Sequence, residues 1–252
     1  MKYLITNLEI DNSTIKCCGF NIRISNQESD VQDDSFIFED EDVLIVLDGL
    51  IINSTELLDN QFHSLEDYSR HYSLKNKDFF KVFSGPFSGF TLYKDDKEIV
   101  AFTNQTGDAF NFYYHHENSI YISNDFYQIA NFLYHNSVIN YNLNAIHQIL
   151  DYGYIITNET LINNIKRITP GYSIFFNNGH LVINRYFTIE YSVFDSSFEN
   201  AIERLDNSFT KSINRLIKKN ESMGFKELLV DMSGGLDSRV VNYSLKKNNS
   251  HK

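Results

Sequence analysis

From Ile15 to Ile183 the apolar residues come in short runs rich in Val, Ile, Phe and Tyr, cut by Asn, Asp and Gly. Runs this short do not make helices, and β-branched and aromatic side chains suit a pleated, half-buried surface, so the pattern confines the chain to strands joined by tight turns. The strands expected are Ile15 to Ile24, Ser35 to Phe38, Val43 to Asp48, Phe87 to Tyr93, Ile99 to Thr103, Ile120 to Ser123, Tyr172 to Phe176 and His180 to Ile183. Lys94-Asp95-Asp96-Lys97 and Asn177-Asn178-Gly179 each lie between two of these and predict hairpins.

Three helices break the series. Ser64 followed by Asp67 is a capping pattern for one. Phe126, Ile129, Ala130 and Leu133 give the second an apolar stripe, and Leu143, Ile146 and Leu150 give the third. Strands in succession with a few helices predict an α+β domain over residues 1–195, with helices covering antiparallel sheets.

The pattern changes after Asp195, and residues 196–252 read as the start of a second domain. Ser196 and Glu199 form a capping box, and Phe198, Ile202, Leu205, Phe209, Ile213 and Leu216 recur at helical steps up to Lys218 and Lys219. A buried-type strand, Leu228-Leu229-Val230, follows. Next come Ser233-Gly234-Gly235 and a helix with Leu236, Val240, Val241 and Leu245 on one face. Helix, strand, loop, helix is how a parallel α/β sheet begins.

The 252 residues, 42% hydrophobic, suffice for one full core and the beginning of another. A net charge of −11 argues against nucleic acid or an anionic membrane as the main partner, because the average surface would be repelled. No apolar run approaches the roughly 20 residues of a membrane span, so a cytoplasmic protein is expected. The two cysteines, Cys17 and Cys18, are adjacent, which suits a reducing compartment. His115-His116 reads as the end of a strand, and Glu39-Asp40-Glu41-Asp42 as a solvated turn.

The loop at Ser233 carries the chemistry. Between strand and helix, the first unpaired N–H groups of the helix and its dipole favour an anion, and glycine lets a phosphate reach the backbone. Asp237, in the first helical turn, is placed to hold Mg²⁺, and Ser233 and Ser238 add hydroxyl donors. No Lys of the Walker type is present in the loop. A generic Ser/Gly turn capping a helix is the bland alternative.

Ser233-Gly234-Gly235-Leu236-Asp237-Ser238 after an apolar strand resembles the PP-loop of ATP pyrophosphatases, in the version carried by glutamine-hydrolysing asparagine synthetases and their relatives. Other segments resemble that family in the same order: Asp48-Gly49-Leu50-Ile51-Ile52-Asn53, Phe83 to Phe90, Tyr152-Gly153-Tyr154-Ile155, Ile165 to Gly171, and Arg185-Tyr186-Phe187. The resemblance implies a first domain of Ntn type, a four-layer αββα sandwich with class II glutaminase ancestry. It implies a second domain that starts a parallel PP-loop fold, with ATP and Mg as cofactors and a small carboxylate as co-substrate. Backbone amides of Gly234 and Gly235, with Ser233 and Ser238, would hold pyrophosphate, and Asp237 the metal.

In the resembled family a Cys directly after the initiator Met is the nucleophile, with its own α-amine as base. Position 2 here is Lys2, which cannot attack an amide. The oxyanion-stabilising Asn of the family aligns with Asp48, followed by Gly49, so the glutamine site is expected to be degenerate. Cys18-Gly19-Phe20 resembles the family's Cys-Gly-Ile start and would serve only after cleavage behind Cys17; otherwise both cysteines are strand residues. The expected parent activity is ATP-dependent amide formation through an adenylated carboxylate attacked by ammonia or an amine, with this stretch alone inactive and in need of a C-terminal synthetase half or a second copy. The alternatives are an intramolecular ligase of the β-lactam synthetase or lasso-peptide cyclase type, and a non-catalytic interaction module.

Overall fold

The computed structural model describes residues 1–10, 15–25, 33–59, 61–136, 139–191, 197–225 and 227–249. Twelve strands form among them. They are β1 (Lys2–Thr6), β2 (Ile15–Cys17), β3 (Phe20–Ser25), β4 (Phe36–Glu39), β5 (Val43–Gly49), β6 (Phe87–Tyr93), β7 (Glu98–Thr103), β8 (Phe112–His116), β9 (Ser119–Ser123), β10 (Ile165–Arg167), β11 (Tyr172–Asn177) and β12 (His180–Arg185). Helices are α1 (Ser54–Leu58), α2 (Leu65–Ser73), α3 (Phe126–His135), α4 (Leu143–Tyr152), α5 (Phe198–Ser222) and α6 (Leu236–Asn249), with a 3-10 turn at Phe79–Val82.

The strands build two six-stranded sheets, one in the order β10-β8-β9-β1-β3-β2 and the other β12-β11-β7-β6-β5-β4. Every ladder among the described residues is antiparallel. Period-2 alternation then sorts the side chains. Tyr3 and Ile5 of β1 and Ile120 and Ile122 of β9 join Leu44 and Val46 of β5 and Phe90 and Leu92 of β6 in one buried cluster between the sheets. The intervening residues Leu4, Tyr114 and Tyr121 face the other way and pack with Ile129, Ala130 and Leu133 of α3. On the far side of the second sheet, Phe80 stacks on Phe102 with ring centroids 4.0 Å apart, and Phe83 meets Phe87 edge to face. Fully burying one such ring contributes about 2–3 kcal/mol. Helix α2 joins this layer through Tyr68, so the unit is helix, sheet, sheet, helix.

Local sequence explains the ends of most elements. Ser64 accepts from the Asp67 amide at the start of α2, and Asp125 accepts from that of Tyr127 at the start of α3. Both expected hairpins form, with Lys97, Asn178 and Gly179 at positive φ. The single strand expected over Ile15 to Ile24 is instead a hairpin, β2 and β3. Cys18 (φ 53) and Gly19 (φ 90) make its two-residue turn, a geometry normally signalled by Asn-Gly, and for that reason not legible in Cys-Gly. The stripe expected to bury α4 is largely exposed at Leu143 and Leu150, and Ala145 is the buried residue of that helix. A stripe reports amphipathicity and does not guarantee a partner.

The residues separate into two compact units, 1–51 with 62–188, and 52–61 with 189–252. In the second unit α5 runs 25 residues, past the expected stop at Lys219. Its cap is Ser197, which accepts from the Asn200 amide, one residue after the Ser196 expected to cap it. Ser196 itself lies outside the described residues. Of the α5 stripe, Phe198, Ile202 and Leu205 are exposed and Ile213 is buried. The strand expected at Leu228-Leu229-Val230 does not form, Leu229 being 99% exposed. A strand satisfies its backbone groups only through a neighbour, and none is paired to this segment among the described residues, so the expected parallel PP-loop sheet is not present.

Candidate functional site

The N-terminal end of β1 lies in the middle of the first sheet, between β9 and β3, and there a polar cluster is assembled across both sheets. The α-ammonium of Met1 donates to Asp48 Oδ1 at 2.7 Å, with Asp48 carried by β5 of the other sheet. Ser35 Oγ donates to the same oxygen at 3.1 Å, and Asn124 Nδ2 donates to Asp48 Oδ2 at 2.9 Å. The Asn124 amide also bonds the Met1 carbonyl, and its Oδ1 accepts from the Tyr3 amide, so one side chain clamps the strand end at two points. Lys2 reaches a different carboxylate, Asp125 Oδ2, at 2.7 Å.

Backbone geometry locks this corner. Gly49 has φ +135, and a Cβ there would sit 2.2 Å from the Pro86 carbonyl oxygen, which accepts the Leu50 amide at 2.8 Å. Only glycine fits, which is why Asp48-Gly49 and the Pro86 segment, 37 residues apart, share the corner. Behind the cluster the Tyr3 hydroxyl is fully buried against Ser88 Oγ, and burial pushes it well above the ordinary phenol range against the smaller opposing effect of that hydrogen bond.

The chemistry follows from charge. An α-ammonium held by a carboxylate cannot take a proton, so it is no base while the pair lasts. The Asp48 carboxylate accepts three hydrogen bonds and so concentrates negative charge at the N-terminal end of β1, a place that would repel an anion rather than donate to it. Lys2 is held to Asp125, which also caps α3. Of the expected residues, Lys2, Asp48 and Gly49 meet here. Ser35, Asn124, Asp125 and the Met1 amine were not anticipated. The one sequence signal for them was Asp125 before the α3 stripe, a helix cap pattern.

Cys18 is elsewhere. The register pairs Lys2 with Ser25 and Thr6 with Asn21, so the Cys18 turn lies at the opposite end of β1 from Met1. Cleavage behind Cys17 would also remove β1, whose Tyr3, Leu4 and Ile5 are buried in the centre of a sheet. Exposing that thiol therefore dismantles the sandwich that would have to use it. His115 Nε2 meets the Gly179 carbonyl at 3.1 Å. The acidic turn is more than solvated, since Asp40 pairs with Arg70 at 2.6 Å and Glu39 with Lys94 at 2.8 Å.

In the second unit, Ser233 to Gly235 is an exposed loop leading into α6, whose first turn carries Asp237 and Ser238. Ser233 Oγ accepts the Gly235 amide at 3.2 Å and lies 3.0 Å from Ser238 Oγ, so the hydroxyls and one amide expected to grip phosphate are engaged with each other. Gly234 differs. A Cβ there would meet nothing within 4 Å, and its φ is not positive, so the folded chain places no demand for glycine at that position. Asp237 is exposed in the first turn of α6.

No family model and no curated protein matches the sequence. Solved structures are similar to it in fold. One is a glutamine phosphoribosylpyrophosphate amidotransferase from B. subtilis complexed with ADP and GMP, at 12% identity and a TM-score of 0.41, over 68% of this chain and 36% of that one. Another, described as the allosteric regulatory enzyme of purine biosynthesis, matches at 12% identity and a TM-score of 0.42 over the same shares. The chain thus spans about a third of these proteins. No helix among the described residues is long and apolar enough to cross a membrane.

Proposed function

We propose that this chain is the glutaminase-type sandwich and first synthetase segment of an asparagine-synthetase-like amide ligase, with glutamine hydrolysis lost and ATP use retained. The observation that carries the reading is the ion pair between the Met1 α-ammonium and Asp48 at the end of β1. In the resembled family hydrolysis needs a free amine, a thiol and an oxyanion donor at this strand end, and a paired ammonium with a carboxylate would supply none of them. Nitrogen would reach the ligase as free ammonia or as an amine of the substrate. The reaction would join a small carboxylate to that nitrogen after adenylation by ATP. Gly234 and the first-turn amides of α6 would lie against the phosphates, after Ser233 Oγ turns from the Gly235 amide. Asp237 would hold the Mg²⁺ that offsets phosphate charge. The open space at Gly234 supports this, because a glycine the chain itself does not need suits a ligand approaching the backbone.

The test is a pair of assays on the whole chain. Incubation with glutamine is expected to release no glutamate above the protein-free control. Calorimetric titration with ATP and Mg²⁺ is expected to show saturable binding that Gly234→Ala weakens at least tenfold while leaving the unfolding midpoint unchanged. Glutamate release overturns the loss of hydrolysis, and a wild-type chain that gives no binding heat overturns the ATP assignment. The unpaired Leu228–Val230 segment favours a second reading in that event, a sandwich kept as a non-catalytic interaction module.

A further inference from the structure

Two sulfurs sit side by side at the turn between β2 and β3, far along β1 from the polar cluster. Cys17 Sγ and Cys18 Sγ are 3.6 Å apart. That spacing suits neither of the commoner fates of a cysteine pair. A disulfide needs about 2.05 Å between sulfurs and Cα atoms about 4.4–6.8 Å apart, whereas neighbours across a trans peptide are held at about 3.8 Å, so closing the bond would strain the linking peptide. A metal in linear two-sulfur coordination, with bonds of about 2.3 Å, would want the sulfurs roughly 4.6 Å apart. One pyramidal trivalent atom bound to both sulfurs at that bond length, with an angle of about 100°, sets them about 3.5 Å apart, close to the spacing present.

We propose that Cys17 and Cys18 form a chelating dithiol site for a soft trivalent centre of the arsenic(III) type that keeps one organic ligand of its own. The turn is preorganised for this. Ile15, Lys16 and Cys17 are paired with Ile22, Asn21 and Phe20, Cys18 and Gly19 take the two left-handed positions, and Cys17 Sγ donates a hydrogen bond to Cys18 Sγ, so the two thiols already face each other before anything binds. Both cysteines are half-buried and Gly19 is exposed, which leaves the pair open to solvent from one side. The binding step is a condensation. An organic arsenoxide, R–As=O, meets two thiols; two As–S bonds form, the As–O bond breaks, and the oxide leaves as water with both thiol protons. Arsenic stays trivalent and no oxidant is needed. Burial, with a further push from the neighbouring Cys18, raises the Cys17 thiol to about 11, so at neutral pH it is a poor thiolate nucleophile toward alkylating agents. Chelation of a thiophilic centre is selected over simple alkylation.

Phenylarsine oxide is the probe, added to the reduced, folded whole chain. The expected result is one arsenical per chain by intact mass, both thiols lost to a disulfide-exchange titration, and reversal by excess of a small dithiol. Cys17→Ser and Cys18→Ser, each checked for an unchanged unfolding midpoint, are expected to weaken binding roughly 100-fold by reducing chelation to a single bond. The proposal is overturned if phenylarsine oxide leaves both thiols titratable in the wild-type chain, a reading that stands even where a variant fails to fold. It is equally overturned if either single variant binds as tightly as the wild type.

Discussion

Leu44-Ile45-Val46 and Leu228-Leu229-Val230 are nearly interchangeable as sequence, and the molecule treats them in opposite ways. The first is the middle of β5, flanked by β4 and β6 and wholly buried. The second is irregular, with Leu229 almost completely exposed. The difference lies in the neighbours. A strand that buries both faces needs hydrogen-bonding partners at both edges, and hydrophobicity supplies neither.

That comparison can be broken by substitution. Leu44→Ala is expected to cost about 3 kcal/mol in denaturant unfolding of the sandwich, within the usual range for deleting a buried leucine, whereas Leu229→Ala is expected to stay within about 0.5 kcal/mol of the wild type. Equal effects would mean that the second segment is packed in solution.

Glycines extend the contrast between the units. Gly49→Ala forces a Cβ onto the Pro86 carbonyl oxygen from a φ that only glycine adopts readily, and a loss of about 2 kcal/mol or more is expected in the same measurement. Gly234→Ala is expected to leave stability unchanged, since its Cβ enters open space. Asp48→Ala removes the acceptor of three hydrogen bonds, among them that of the Met1 ammonium, and is expected to cost about 2 kcal/mol without creating glutaminase activity. Thermal unfolding and a glutamate-release assay on one preparation check both halves.

The smallest effect belongs to the second unit. The Arg215 guanidinium donates twice to Glu56 and holds its carboxyl below the ordinary carboxylate range. A depressed folded value means that the stabilisation is complete above the ordinary carboxylate pKa and is lost as acid titrates the folded carboxyl. Glu56→Gln should therefore flatten the acid limb of the stability profile and change neutral stability by less than about 1 kcal/mol, because the pair is partly exposed. An unaltered acid limb would show that the pair contributes nothing to the second unit.

Most of the sandwich was legible because its signals are local. The apolar runs, the Asn-Gly and Lys-Asp-Asp-Lys turns and the Ser64 cap each act within a few residues and produced the elements expected, except that the Ile15 to Ile24 run folds as a hairpin. The misses differ in cause. The pairing of β1 and β10 with β9, β3 and β8 depends on contacts distant in sequence. The Cys18-Gly19 turn lacks the usual Asn. In the candidate site, Lys2 and Asp48 stood out only through the family resemblance, and their partners could not be read from the sequence at all.

The sequence by itself determined most of the strands, the turns at Lys94–Lys97 and Asn177–Gly179, and that position 2 is a lysine. Tertiary structure alone decided that Met1, Ser35, Asp48 and Asn124 share one cluster, since pairing of β1 with β9 brings Asn124 to Met1, 123 positions away, and sheet stacking brings Asp48 to both. It also decided that one of two equivalent apolar runs becomes a strand. Alternation is a property of the chain, but backbone pairing is a property of neighbours, and those are chosen only when the whole sheet assembles.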